Sequence, residues 1–146
     1  MVERYIDATD EAAIRLFSSS HDGEICMLNL LRFRAIADYS TFPNLVPEVQ
    51  ISGREAYQKY IDHTLPFLEA SGGKIDFIGG ADHFFVGPQD ERWDVAMVIR
   101  QSSLNDFLSF ATNEEYLKGI CHRSAALVDS RILPMRPYPG TDITRS

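Results

Sequence analysis

The chain has 146 residues, of which 45% are hydrophobic and 24% charged, and its formal net charge is −7. This length and composition indicate one globular domain with a sizeable core. The acidic balance argues against binding to nucleic acid or anionic membranes, because both favour a basic surface. No apolar run approaches the ~20 residues of a membrane span, and residues 1–5 lack the apolar core of a signal peptide. We therefore expect a cytoplasmic protein with no nucleic-acid or membrane partner.

The first predicted element is a short helix from Thr9 to about Ser20. Thr9 can serve as its N-cap, and the acidic Asp10 and Glu11 suit the positive first turn. Ile14, Leu16 and Phe17 give this helix an apolar side.

The segment from Glu24 to Phe33 is predicted as a strand that is apolar on both faces. Alternate side chains of a strand point to opposite faces. One face would hold Ile25, Met27, Asn29, Leu31 and Phe33, and the other Cys26, Leu28, Leu30 and Arg32. Such a strand must be covered on both sides, and the amide of Asn29 must find hydrogen-bond partners.

A long connection over residues 35–50 shows no clear periodicity and is broken by Pro43 and Pro47. Long loops of this kind often act as lids or binding loops. The alternative is an apolar arm that covers a sheet edge or a partner subunit, and the sequence leaves both open.

A capping box of Ser52 and Glu55 predicts a helix over residues 53–71. Its apolar stripe contains Tyr57, Tyr60, Ile61, Thr64 and Leu68. Pro66 is expected to kink the helix or to remove one backbone hydrogen bond, and Gly72-Gly73 is expected to end it.

Two more strands are predicted over residues 74–86 and 93–100. Gly79-Gly80 in the first of them suggests a bulge. The second is largely apolar on both faces, one of which would hold Trp93, Val95, Met97 and Ile99.

The last predicted elements are two helices and a strand. Ser103 opens a short helix, and a second capping box of Thr112 and Glu115 opens a helix that continues to Leu127. Residues 128–135 form the last strand. The order β-α-β-β-α-β, with the second helix in two pieces, is the ferredoxin-like pattern.

We therefore predict an α+β fold with an antiparallel sheet, as a single ferredoxin-like domain over residues 1–146. Its core would span about residues 24–135, with the helix at 9–20 before it and an irregular tail at 136–146 after it. Helices cover only one face of such a sheet, yet the first and third strands are apolar on both. The economical cover for the second face is another copy of the sheet, which predicts a homodimer that pairs as a dimeric α/β barrel.

Several short motifs resemble the DUF1330 family of the dimeric α/β-barrel superfamily, over roughly residues 24–135. They are Met27–Phe33, Tyr57-x-x-Tyr60, Gly72-Gly73 before a strand, Gly87, Trp93-Asp94, Asn113-Glu114-Glu115-Tyr116 and Arg123-Ser124-Ala125-Ala126. One departure is visible, because Gln101-Ser102 stand where that family usually has an aromatic residue and a proline. The resemblance implies a dimer of ferredoxin-like subunits and no established activity. Relatives by fold include cofactor-free monooxygenases, haem-binding enzymes and lactone isomerases, but fold alone does not transfer function.

Polar residues on apolar elements are the candidate site residues. Asn29 could hydrogen-bond a ligand carbonyl or oxyanion in a pocket between sheet and helices, or make a structural bond instead. Arg123 must meet an acid, a backbone carbonyl or an anionic ligand, and a structural pair with Asp94 is one alternative. His63 could act as a general acid–base, or it could simply pack between helices.

The two cysteines, Cys26 and Cys121, are interpreted as reduced thiols packed as small hydrophobes. Cys121 adjoins His122, but adjacent helical residues point about 100° apart, which suits Cys–His chemistry poorly. The histidines are scattered without metal-ligand spacing, and no glycine-rich phosphate loop occurs, so we expect no metal and no cofactor.

The sequence thus predicts a homodimer that binds a small anionic or carbonyl-containing ligand. Whether the protein only binds this ligand or is a cofactor-independent enzyme of monooxygenase or isomerase type is left open. The predicted ligand-binding residues are Asn29, Arg32, Tyr57, Tyr60, Asp94, Tyr116 and Arg123, with His63 and Asn29 as the catalytic candidates. The alternative is a structural or sensory dimer with no ligand.

Overall fold

The computed structural model describes residues 3–144. The strands are β1 (Ile25–Phe33), β2 (Lys74–Gly80), β3 (Val95–Gln101) and β4 (Leu127–Met135). The helices are α1 (Asp10–Phe17), α2 (Gly53–Ala70), α3 (Leu104–Ala111), α4 (Glu114–Leu117) and α5 (Ile120–Ala126), and Pro43–Leu45 forms a 3₁₀ turn. Over residues 3–144, no helix is long and apolar enough to cross a membrane.

The strands form one antiparallel sheet in the order β2-β3-β1-β4. Helix α2 connects β1 to β2, and helices α3 to α5 connect β3 to β4. This topology confirms the predicted α+β ferredoxin-like fold.

The predicted capping signals place the main helix. The Ser52 hydroxyl accepts a hydrogen bond from the Glu55 amide at 3.0 Å, and the Glu55 carboxylate accepts one from the Ser52 amide at 2.9 Å. Helix α2 continues through Pro66, which lacks the donor for one hydrogen bond. It stops before Gly72, whose φ of +90° lies in the left-handed region that glycine adopts easily.

Strand β2 differs from its prediction in both length and irregularity. It ends at Gly80 rather than Val86, and its register shift lies between Ile75 and Phe77 rather than at Gly79-Gly80. At this bulge, the Asp76 carboxylate accepts a hydrogen bond from the Arg100 guanidinium of β3 at 2.6 Å. The apolar residues after Gly80 suggested a longer strand, but they belong to an exposed connection.

The predicted helix running to Leu127 is two helices, α4 and α5, which break at Gly119. Helix α2 approaches this break so closely that a Cβ atom on Gly119 would clash with the ring of His63. The N-cap of α4 is Asn113 rather than Thr112. The Asn113 side chain accepts from the amides of Glu115 and Tyr116 at 2.9 and 3.0 Å.

The two faces of the sheet have different surroundings. Ile25, Met27, Asn29 and Leu31 of β1 are buried against the helices, as the alternation predicts. On the opposite face, an apolar row crosses all four strands through Phe77, Val98, Leu28 and Leu133. Phe77 is 61% exposed and Leu133 57% exposed, so the ends of this row are open to solvent in the single chain.

Candidate functional site

A cavity of about 420 Å³ lies between the sheet and the helices. Its walls come from all four strands, from helices α2 to α5 and from residues 6–8. The lining is mostly apolar, and its polar members are Asp7, Asn29, Tyr57, Tyr60, Thr64, Gln101, Tyr116 and Arg123. Small-molecule sites have volumes of about 300–1,000 Å³ and the same mixture of an apolar wall with a few polar groups.

Helix α2 contributes the longest wall. All five residues of its predicted stripe line the cavity, namely Tyr57, Tyr60, Ile61, Thr64 and Leu68. A helix repeats every 3.6 residues, so residues three and four apart share a face. The stripe therefore places an aromatic and apolar surface opposite the sheet.

Three tyrosines lie in the lining, and two of them are joined. The hydroxyl groups of Tyr60 and Tyr116 are 2.7 Å apart and hydrogen-bond to each other. Burial raises the pKa of Tyr57 and of Tyr116 far above physiological pH. Both side chains therefore act as neutral hydroxyl groups rather than as phenolate bases.

Arg123 is buried at one end of the cavity and is held by the protein itself. Its Nη1 donates to the backbone oxygen of Ile6 at 2.7 Å, and its Nη2 donates to the hydroxyl of Ser130 at 3.4 Å. Nη1 also lies 3.7 Å from the carboxylate of Asp7, whose side chain is 79% exposed. Within residues 3–144, the partners of Arg123 are thus Ile6, Ser130 and Asp7, and the alternative pair with Asp94 does not form.

Residues 5–8, which we call the N-terminal strap, lie beside this end of the cavity. The Tyr5 amide donates to the Asp129 carboxylate at 2.8 Å, and the Ser130 hydroxyl donates to the Tyr5 backbone oxygen at 2.6 Å. Burial would raise the pKa of Asp129, but hydrogen bonds from Tyr5 and Arg131 outweigh it and lower that pKa. The sequence analysis missed the strap, since no local pattern connects it to β4.

Gln101 lies at the other end and has a different environment. Its side chain is 1% exposed, and neither Nε2 nor Oε1 has a hydrogen-bond partner within residues 3–144. The hydroxyl of Thr64 is likewise buried without a partner in this part of the chain. In the sequence, Gln101 was visible only as a departure from the DUF1330 pattern.

Asn29 lines the cavity between these ends. It is buried, and its Nδ2 donates to the backbone oxygen of Met27 at 3.1 Å. A local structural bond and a position on the cavity wall therefore occur together at this residue.

Three predicted site residues lie elsewhere. Arg32 donates through Nε to the backbone oxygen of Arg92 at 2.9 Å and stacks on Trp93 at 4.6 Å. Asp94 accepts from the Phe33 amide at 2.8 Å. His63 uses Nε2 to bond the backbone oxygens of Glu115 and Tyr116, at 2.8 and 3.1 Å. The structure brings Asn29, Tyr57, Tyr60, Tyr116 and Arg123 to the cavity and leaves Arg32, Asp94 and His63 outside it.

Trp93 also departs from its predicted position. It precedes β3, and the guanidinium groups of Arg32 and Arg131 lie 4.6 and 5.0 Å from its ring. Both arginines belong to the face of the sheet that carries the apolar row, because Arg131 pairs with Leu30. Trp93 therefore does not share a face with Val95.

The connection over residues 35–50 packs on α5 instead of closing the cavity. The Asp38 amide donates to the backbone oxygen of Ala125 at 2.9 Å, and the Tyr39 hydroxyl lies 2.7 Å from Nδ1 of His122. None of these loop residues lines the cavity, so the loop is not its lid.

Both cysteines are free and buried. Burial raises the pKa of the Cys121 thiol, which disfavours the reactive thiolate. His122, its neighbour, directs Nδ1 toward the hydroxyl of Tyr39. This geometry does not join Cys121 and His122 as a catalytic pair.

The chain resembles two crystal structures of RPA0582, a protein of unknown function from Rhodopseudomonas palustris. It is 33% identical to the methylated form, covering 94% of this chain and 98% of that chain with a TM-score of 0.84. The other structure is 31% identical, with 94% and 100% covered and a TM-score of 0.84. A dimeric ferredoxin-like protein of unknown function from Bacteroides fragilis is 13% identical, with 77% and 95% covered and a TM-score of 0.46. No protein-family model and no curated protein matches the chain, so the DUF1330 resemblance stays a prediction.

Proposed function

The chain belongs to the same family as RPA0582, a protein of unknown function, so we propose a function from the cavity instead. The protein binds a small, largely hydrophobic molecule between its sheet and its helices. The observation that carries this proposal is the cavity of about 420 Å³ in a fold of this size. Protein interiors are otherwise close-packed, and a void of this volume leaves its lining without contacts. A bound molecule would restore those contacts.

The lining favours binding over catalysis. Among residues 3–144, it includes no histidine, cysteine or glutamate. Its buried tyrosines are neutral, and its one carboxylate, on Asp7, faces solvent. Proton transfer needs a group that titrates near the working pH and lies within hydrogen-bond reach of the substrate. The lining therefore offers no such group for a monooxygenase or isomerase reaction.

We also propose that the protein works as a homodimer through the apolar row of Phe77, Val98, Leu28 and Leu133. The row lies on the face of the sheet that the helices leave open, and exposed apolar patches mark interaction surfaces. In a twofold dimer the same surface meets itself, so an apolar row is matched by its own copy. Ion pairs that include Arg100 with Asp76 and Glu24 adjoin the row and supply both signs of charge.

A fluorescent titration tests the cavity. N-phenylnaphthylamine, a neutral hydrophobic dye, should bind the wild-type protein with increased emission. Ile99→Trp places a larger ring in the middle of the cavity and should reduce the affinity at least about tenfold. The control is Val49→Trp, the same change at an exposed loop position that lies neither in the cavity nor in the apolar row.

Retained dye binding by Ile99→Trp, with its fold intact by circular dichroism, would contradict the cavity as the site. Failure of the wild-type protein to bind any dye would instead support the structural or sensory dimer.

Sedimentation velocity tests the dimer separately. Leu133→Asp puts a carboxylate in the apolar row and should convert a dimer to a monomer, because an unpaired charge is costly to bury. Val49→Asp, an equally drastic change at an exposed loop position, should leave the assembly unchanged. A wild-type protein that sediments as a monomer at micromolar concentration would exclude the proposed dimer.

A further inference from the structure

The geometry assigns Gln101 as the head-group site of this cavity, for an uncharged ligand that carries a hydrogen-bond donor beside an acceptor, such as a primary carboxamide with an apolar tail. This assignment rests on the proposal that the cavity binds a small molecule. It starts from the unusual state of the Gln101 amide, which is 1% exposed and has no partner for Nε2 or Oε1 within residues 3–144.

An unpaired buried amide is unfavourable, and nearly all buried polar groups in proteins have a partner. Here neither the donor nor the acceptor of one side chain has a partner among the described residues. The hydroxyl of Thr64, on the helix wall of the same cavity, likewise has no partner in this part of the chain. These groups together define what a ligand must present.

A primary amide carries two N–H donors and a carbonyl acceptor, and one of its N–H groups lies beside the carbonyl oxygen. The complementary ligand head is therefore another group of the same kind, whose carbonyl accepts from Nε2 and whose N–H donates to Oε1 of Gln101. An ester or a tertiary amide leaves Oε1 unpaired. A carboxylate would place its negative oxygen against Oε1.

Thr64 lies on the face of α2 that reaches this point through Leu68. A Cβ atom on Gly73 would lie 2.5 Å from Leu68 Cδ1 and 2.9 Å from Gln101 Nε2, so Leu68 and Gln101 border the same position. Thr64 precedes Leu68 by one turn on the same face of α2, about 5.4 Å along the helix. The absence of a side chain on Gly73 is what leaves room for the amide of Gln101.

We infer an uncharged ligand head because Arg123, the cationic residue of the lining, lies at the opposite end of the cavity from Gln101. Gln101 pairs with Ile25 across the sheet, whereas Ser130, which holds Arg123, pairs with Leu31. Ile25 and Leu31 are about 20 Å apart along β1, at ~3.4 Å per residue. A head at Gln101 therefore meets no compensating positive charge. Between the two ends, the apolar Met27 and Ile99 line the path of the tail.

A matched series of probes tests the assignment, with isothermal titration or displacement of N-phenylnaphthylamine as the readout. Octanamide should bind wild-type protein at least about tenfold more tightly than N,N-dimethyloctanamide, which lacks the donor, or octanoate, which is charged. In Gln101→Leu, the three probes should bind within about threefold of one another. Gln101→Met serves as a second variant with the same expectation, and circular dichroism verifies that each remains folded.

The outcomes separate the two proposals. If all probes bind wild-type protein equally, the head-group assignment is wrong while the cavity remains a binding site. If both Gln101 variants still bind octanamide more tightly than the other two probes, a different group binds the ligand head and the assignment is again wrong. If neither the dye nor any probe binds, the proposed function itself fails.

Discussion

The two ends of the cavity contain similar buried polar groups in opposite states. At one end, Arg123 bonds Ile6 and Ser130. Asp129 lies next to this end, on the opposite face of β4, and bonds the strap and Arg131. At the other end, Gln101 is just as buried and bonds nothing within residues 3–144. Burial alone therefore does not distinguish a structural polar group from one that is available to a ligand. The presence or absence of a protein partner does.

Because of this contrast, substitutions at the two ends should change the free energy of unfolding in opposite directions. Removing a satisfied polar group leaves its former partners unpaired, which is destabilising. Removing an unsatisfied one by an apolar side chain of similar shape relieves a penalty.

The largest effect is expected at Arg123. Arg123→Met removes a charged donor from Ile6 and Ser130 and should lower the free energy of unfolding by about 2–3 kcal/mol in urea denaturation. The control is Arg15→Met, whose exposed ion pair with Glu11 should contribute less than about 0.5 kcal/mol. If the two substitutions lowered the free energy of unfolding equally, the hydrogen bonds of Arg123 to Ile6 and Ser130 would stabilise the fold no more than an exposed ion pair does.

Asp129 should make the strap sensitive to pH. Because its pKa is lowered in the folded protein, its contribution is complete above the unfolded pKa of about 4 and is lost as the pH falls through the lower folded value. Asp129→Asn should therefore reduce the free energy of unfolding by about 1–2 kcal/mol near pH 7. The gap between the two proteins should narrow below about pH 4. A gap that stays constant down to about pH 3 would contradict this role.

The smallest effect, of opposite sign, is expected at Gln101. Gln101→Leu should raise the free energy of unfolding of the ligand-free protein by about 1 kcal/mol, since the amide it removes has no partner within residues 3–144. Asn29→Leu is the comparison on the same cavity, and it should not stabilise, because the Asn29 amide donates to Met27. Destabilisation by Gln101→Leu would indicate that ordered water already satisfies the amide.

Local periodicity was enough to predict much of this cavity. The stripe of α2 and the inward face of β1 follow from repeats of 3.6 and 2 residues, and both proved to be walls of the cavity. The capping box at Ser52 likewise depends only on residues three apart. Such features need no knowledge of distant contacts.

The polar chemistry of the site could not be predicted in this way. Arg123 meets Ile6 across 117 positions of sequence, so its partner is set by the packing of the strap on β4. Gln101 differs from an ordinary surface glutamine only because α2 and Gly73 close over the end of β3. His63 could be recognised as a titratable residue, but its role depends on the carbonyl groups of α4, which it contacts outside the cavity.

The central claim, that the cavity holds a small molecule with its head at Gln101, is tested most directly by a crystal structure of the wild-type protein grown with octanamide. We predict electron density for the ligand between the sheet and α2, with its amide facing Gln101 and its tail along Met27 and Ile99. A cavity that is closed by its own side chains, or filled only by ordered water with octanamide in excess, would contradict the claim.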